Sequence, residues 1–318
     1  MTAFGSAAAH PDPTQGQTLR RRLADSDLWY SFRTSPVALG AAVMALLILT
    51  AVVCAPWLTH DPFDLTVVDI MDASKPPAWM ADGTWQYPLG SDDQGRSVLA
   101  TILYGTRLSL IVGVLSVLFA VILGVGLGLV AGFAGGLVDM VIMRLADIQL
   151  SFPAILVALL IDGIARVALP HELHERLAVF VLIFAIGISS WVHYARTVRA
   201  STMVERQKEY VQAAWLVGTP ASSILLRHIL PNVLGPVLVL GTLGLAAAII
   251  SEATLSFLGV GLPPTQPSLG TLIRIGNEFL FSGQWWMTIF PGIALVLVAL
   301  SVNLLGDWLR DALNPKLR

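Results

Sequence analysis

The chain has 318 residues, 55% of them hydrophobic and only 13% charged, with a mean hydropathy of +0.74; this excludes a soluble globule of that size and marks an integral membrane protein. A net charge of −2 without a cluster of Lys and Arg excludes nucleic acid as a partner. The single cysteine, Cys54, lies in an apolar run, which excludes an intrachain disulfide framework and reads as a small apolar filler.

Residues 1–36 are polar and read as a disordered cytoplasmic tail. The first apolar run begins too late for a cleavable signal peptide and reads as an uncleaved anchor. Six runs reach or approach the roughly 20 apolar residues that a membrane-crossing helix needs. They lie near 37–58, 108–132, 138–162, 177–199, 234–258 and 286–309 and predict an all-α fold of six transmembrane helices in one domain, 37–318. With the N-terminus inside, twelve basic residues fall on the cytoplasmic side (Arg20, Arg21, Arg22, Arg33, Arg196, Arg199, Arg206, Lys208, Arg227, Arg310, Lys316, Arg318). Six fall outside (Lys75, Arg96, Arg107, Arg166, Arg176, Arg274). This asymmetry places both termini and the segment 200–233 in the cytoplasm.

The external segment 59–106 carries seven aspartates, several prolines and no strand pattern. Its end, from Pro88 to Arg107, reads as a helix capped by Ser91-Asp92-Asp93 and lying at the outer interface, against the bundle or a delivery protein. In the second span Gly124, Gly128 and Gly132 recur in steps of four and form a packing ridge. No lysine completes a phosphate-binding loop: Lys75, Lys208 and Lys316 follow Ser, Gln and Pro. In the third span Asp139, Arg144 and Asp147 precede Pro153. Arg144 and Asp147, three apart on one helical face, are expected to neutralise each other, and Pro153 to kink the helix. His171, Glu172, His174 and Glu175 form a short polar loop without further ligands nearby, which argues against a metal site.

The segment 200–233 is the polar interruption around which the chain is organised. Glu205 to Leu216 predicts a helix carrying Tyr210, Gln212, Ala213, Ala214 and Trp215, ended by Gly218 in the left-handed conformation. A second helix, with Pro220 near its first turn, is expected to run to Pro231. Glu252, inside the fifth span, is a functional candidate at that depth. It either meets cargo or lines a wet passage, or is a hydrogen-bonded structural residue facing a partner. Trp285 and Trp286 read as interfacial anchors, and Asp307, Arg310 and Asp311 as organisers of the inner helix end.

Gln212-Ala213-Ala214, three residues, Gly218, nine residues and His228-Ile229-Leu230-Pro231 together resemble the Glu-Ala-Ala loop of bacterial ABC importer permeases. Gln212 stands for the usual Glu and His228 for the usual Ile. The segment Leu89-Gly90-Ser91-Asp92 to Arg107-Leu108-Ser109-Leu110 is similar to the family's Leu-Gly-Thr-Asp start, with Ser97 where Asp is usual. Asp139-x4-Arg144-x2-Asp147, Leu255 to Gly261 with Pro263, Pro264 and Pro267, and Gly306 to Leu317 resemble the C-type subunit of dipeptide/oligopeptide permeases; Leu269 stands where many members have Trp.

The resemblance implies the type I ABC importer permease fold, with 200–233 as a cytoplasmic coupling helix and loop in a bacterial inner membrane. It implies a second homologous permease subunit, two cytoplasmic ATPase subunits and an external substrate-binding protein as partners. ATP and Mg would sit on those partner subunits, with no cofactor, metal or catalytic residue on this chain. It implies ATPase coupling by Tyr210, Gln212, Ala213, Ala214, Gly218, His228, Leu230 and Pro231, and a translocation pathway drawing on Glu252, Arg144 and Asp147. Peptides are the implied cargo; nickel and glutathione use the same scaffold. Outside the resemblance, an ion-gradient-driven secondary transporter or a non-transporting membrane scaffold remains open, although no internal repeat is visible.

Overall fold

The structure, a computed structural model, describes residues 27–63, 69–263 and 265–312. Arg20–Arg22, Asp64, Pro264 and the 313–318 end with Lys316 lie outside the described residues.

The described residues are helical, without a named strand. The α-helices are α1 (Asp27–Thr34), α2 (Pro36–Leu58), α3 (Val98–Ala134), α4 (Gly136–Leu150), α5 (Ala154–Ala168), α6 (His171–Glu205), α7 (Glu209–Leu216), α8 (Leu230–Phe257), α9 (Leu269–Phe279) and α10 (Trp286–Ala312). Five helical stretches are long and apolar enough to cross a membrane: α2, α3, α6, Ala221–Phe257 and α10. The pair α4 and α5 makes a sixth if its two halves are taken as one span.

The longest helix pair is held by the glycine ridge. A Cβ at Gly124 would lie 2.5 Å from the carbonyl oxygen of Trp191, one at Gly128 2.5 Å from that of Ala195, and one at Gly132 2.7 Å from that of Arg199. Only a missing side chain lets α3 and α6 approach this closely, and dispersion then acts over their full contact. Around the seam, Leu129, Tyr194 and Val198 meet Val211, Ile224, Ile229 and Val233 from the segment after α6. The opposite half of the seam packs Val112, Leu182, Ile186, Ala248 and Leu255.

Three expectations are corrected. The third span is not one kinked helix. Its backbone breaks at Ser151-Phe152-Pro153 and the halves differ in direction by 92°, because proline after Phe152 disfavours the helical conformation there and removes a donor. The helix after Gly218 does not stop at Pro231. A turn at Ala221–Ser223 and a π-helical turn at Ile224–Ile229 run directly into α8, and Pro231 falls in that helix's first turn, where its missing N–H is tolerated. The outer interfacial helix does not exist as a separate element, since Val98 opens α3 and the helix continues to Ala134. Asp92 does not cap it. Its carboxylate accepts from the backbone N–H of Gln94 at 3.0 Å and of Arg96 at 2.8 Å, and from Arg96 Nε at 2.6 Å.

The segment 69–97 between α2 and α3 is ordered by a compact polar net. Tyr87 donates to Asp72 at 2.7 Å, Lys75 pairs with Asp72, and the Lys75 backbone N–H donates to Ser91 Oγ at 2.8 Å. Burial, then the hydrogen bond to Asp72, pushes the Tyr87 phenol up to about 12. Lys75, followed by Tyr87, holds the Asp72 carboxyl below its usual range.

Candidate functional site

The segment 206–233 forms a compact unit at the end of α6. Val211 is fully buried and anchors α7 on the Ile224–Val233 face. Arg206 donates through Nη1 to the carbonyls of Gly132 at 3.1 Å and Phe133 at 3.0 Å, satisfying acceptors left open at the end of α3. Phe133 also stacks on Trp215, with ring centroids 5.9 Å apart and planes within 15°.

Tyr210 ties the two arms of the unit together. Its hydroxyl donates to Glu205 and accepts from Asn232 Nδ2 at 2.9 Å, and its ring stacks on His228 at 6.5 Å. Asn232 Nδ2 also donates to the His228 carbonyl at 2.7 Å. Burial, and after it the Glu205 contact, holds the Tyr210 phenol above its ordinary value. Glu205, expected to open the helix that carries Tyr210, is instead the last residue of α6, and α7 opens at Glu209; Asn232 carries no motif of its own. The weak signal for them is position: five residues before Tyr210, and directly after Pro231.

Gly218 has φ +80° and ends α7, with its N–H bonded to the Trp215 carbonyl at 3.0 Å and that of Thr219 to Ala214 at 3.0 Å. No atom lies within 4 Å of where its Cβ would stand, so the constraint is conformational and not steric. Around it Leu216 and Val217 are 89% and 85% exposed. Gln212 and Ala213 are also exposed, Ala214 and Leu230 half-buried, and Pro231 exposed. Gln212 donates to the Gln207 carbonyl at 3.0 Å, so it fastens the entry of its own helix.

The remaining candidates separate. Glu252 is fully buried and accepts from Ser109 at 2.7 Å and Ser256 at 2.8 Å. It joins α3 to α8, with both of these partners on its own chain. Arg144 and Asp147 are not a pair. Asp147 takes Arg196 of α6, Asp139 takes Arg199 through both oxygens, and Arg144 makes no ion pair among the described residues. The physical reason is that α6 runs antiparallel beside α4 and offers guanidinium groups directly across the contact. At the end of α5, Arg166 bonds the buried Asp162 at 2.6 Å and the Gly259 carbonyl at 3.1 Å. His171 lies 3.8 Å from Glu175 and His174 4.0 Å from Asp162, and no group of three metal-ligating side chains forms among the described residues.

A helical bundle with an exposed apolar tip on a short helix, set beside long membrane-length helices, is an arrangement with known counterparts. Residues 124–318 match the family described as binding-protein-dependent transport system inner membrane component. The chain belongs to this family. Among the relatives of this inner membrane component is the dipeptide transport system permease protein DppC of Haemophilus influenzae, 36% identical over 92% of this chain and 95% of that protein. The di/tripeptide transport system permease protein DppC of Pseudomonas aeruginosa is 35% identical over 98% of each chain. The oligopeptide transport system permease protein OppC of Bacillus subtilis is 33% identical over 99% of this chain and 97% of that one. Among solved structures, the inward-facing MetNI methionine ABC transporter gives a TM-score of 0.53 at 17% identity, covering 67% of this chain and 96% of that chain, and supports the fold. The chain is thus a multi-pass membrane permease component of the ABC importer type.

Proposed function

We propose that this chain is one permease subunit of an ATP-driven importer of di- and oligopeptides, forming half of the passage with a second, homologous subunit. Two ATPase subunits bind and hydrolyse Mg-ATP, and an external binding protein delivers cargo. The peptide-permease relatives, similar over nearly the whole chain, support the cargo class. The basic-residue asymmetry supports a bacterial inner-membrane orientation with both termini and α7 in the cytoplasm.

The observation that carries the coupling role is the exposed tip Trp215-Leu216-Val217, shaped by the left-handed Gly218 and braced from behind by Tyr210, His228 and Asn232. An exposed apolar tip on a braced support is a seat for another protein. Seated in a groove of an ATPase subunit, it transmits closure of the ATPases to the bundle as a rigid-body movement.

Gly218→Val tests this directly. A β-branched residue at φ +80° is strained, so α7 ends differently and the tip is displaced. The expected result is at least a tenfold loss of peptide uptake with the four-subunit complex still assembled. Wild-type uptake by an assembled complex overturns the coupling role. Competition by nickel or glutathione against labelled dipeptide separates the other cargo classes.

A further inference from the structure

The face of α4 turned away from the bundle carries a charge that no described residue pairs. Asp139 and Asp147 each reach across to α6 and engage Arg199 and Arg196. Arg144 stands between those pairs along the helix axis, exposed, and two positions from the buried Ala146; at about 100° per residue it therefore projects from the opposite side. Among the described residues three guanidinium groups meet two carboxylates here, and the unmatched one is Arg144. Its neighbours on the outward face, Leu137, Val141 and Ile148, are apolar and exposed. A cation on such a face of a membrane span is too costly against lipid and belongs at a wet passage or opposite an anion.

Beside Arg144 lies an open concavity of about 540 Å³, lined by Arg144 itself, the Asp139–Arg199 pair and Asp147, with Met140, Val141 and Met143 as its apolar wall. That is within the roughly 300–1,000 Å³ of small-ligand sites and more than a single facing side chain needs. Methionine walls adapt to differently shaped apolar groups, while a guanidinium selects a carboxylate by paired hydrogen bonds. The combination suits a molecule with one invariant anionic end and a variable body.

We propose that Arg144 binds the C-terminal carboxylate of the cargo on its way along the passage. The inference rests on the peptide-permease reading above and adds to it a named contact and a chemical requirement.

The test uses the complete complex with its binding protein in proteoliposomes, with dialanine and dialanine C-terminal amide as probes, in the wild type, Arg144→Gln and Arg144→Lys. The expected result is a wild-type preference for the free acid that falls about tenfold in Arg144→Gln, corresponding to ~1.4 kcal/mol. Amide uptake and recovery of the ATPase subunits should stay within about twofold, and Arg144→Lys should keep an intermediate preference. An unchanged preference in Arg144→Gln overturns the proposal, whether both uptakes persist, as for a lipid-facing charge, or fall together, as for a salt bridge to the second subunit. A wild-type complex that carries no peptide, neither these probes nor longer ones, while carrying another class of cargo overturns the peptide reading, and this inference with it.

Discussion

Trp286 donates its indole N–H to the backbone carbonyl of Ser91 at 3.1 Å, fastening the segment 69–97 to the start of α10. The ring is nearly buried, and a Cβ at Gly90 would lie 2.9 Å from it. Trp286→Phe removes the donor and should cost about 1 kcal/mol; Trp286→Ala leaves a cavity as well and should cost about 3–5 kcal/mol. Limited proteolysis of membrane vesicles should show residues 69–97 cleaved faster in that order.

Glu252 should behave as a joint between helices. Ser109 bonds both its carboxyl and, at 3.3 Å, the backbone N–H of Leu269 at the head of α9. Ser109→Ala leaves the Leu269 N–H unpaired and Glu252 with Ser256 as its remaining donor, an expected loss of about 1–3 kcal/mol for a buried polar group without its partner. Thermal melting of the purified protein measures it. Uptake that collapses in Glu252→Gln at unchanged melting temperature would instead mark a cargo contact.

Near the end of α5 the asymmetry of ion pairs should be visible. Arg166→Met leaves the buried Asp162 carboxylate without its guanidinium and releases the Gly259 carbonyl, so it should destabilise by about 1–3 kcal/mol. Adding Asp162→Leu removes the stranded charge and should restore much of that loss. Melting curves of the two single variants and the double variant form the required cycle.

The polar net around Asp72 and Tyr87 gives a pH dependence with a definite sign. The folded Asp72 carboxyl titrates below its ordinary value because of Lys75 and Tyr87. Its stabilising contribution is therefore present above the unfolded pKa and disappears as pH falls through the folded one. For Tyr87, raised to about 12, the contribution is complete below the unfolded phenol pKa and is lost as pH climbs towards 12. Tyr87→Phe takes one donor from Asp72, so acid should loosen 69–97 at a higher pH than in the wild type. Protease resistance across a pH series reads this out.

Apolar length and glycine spacing made much of the bundle legible in the sequence, because both act along one helix at a time. Gly124, Gly128 and Gly132 needed only their period to be placed on a shared face. What escaped was set by contacts between helices. Asp147 met Arg196 and not Arg144 because a facing helix outcompetes a neighbour three residues away. Pro231 failed to stop its helix because a π-helical turn before it shifts the hydrogen-bond register. The positive φ of Gly218 was readable from local chemistry, while the brace formed by Glu205, Tyr210 and Asn232 brings together residues from both arms.

The glycine seam between α3 and α6 also determines where this molecule is able to bend. Two helices whose backbones touch at Gly124, Gly128 and Gly132 cannot slide or splay without clash or loss of that contact, so they act as a single spar. Changes of shape must then fall at the joints around it: the break at 151–153, the link 206–208 into α7, the turn at 217–220, and the bend that follows Phe257. Each half of such an importer would thus flex as a stiff beam with four hinges, and not as a loose sheaf of helices.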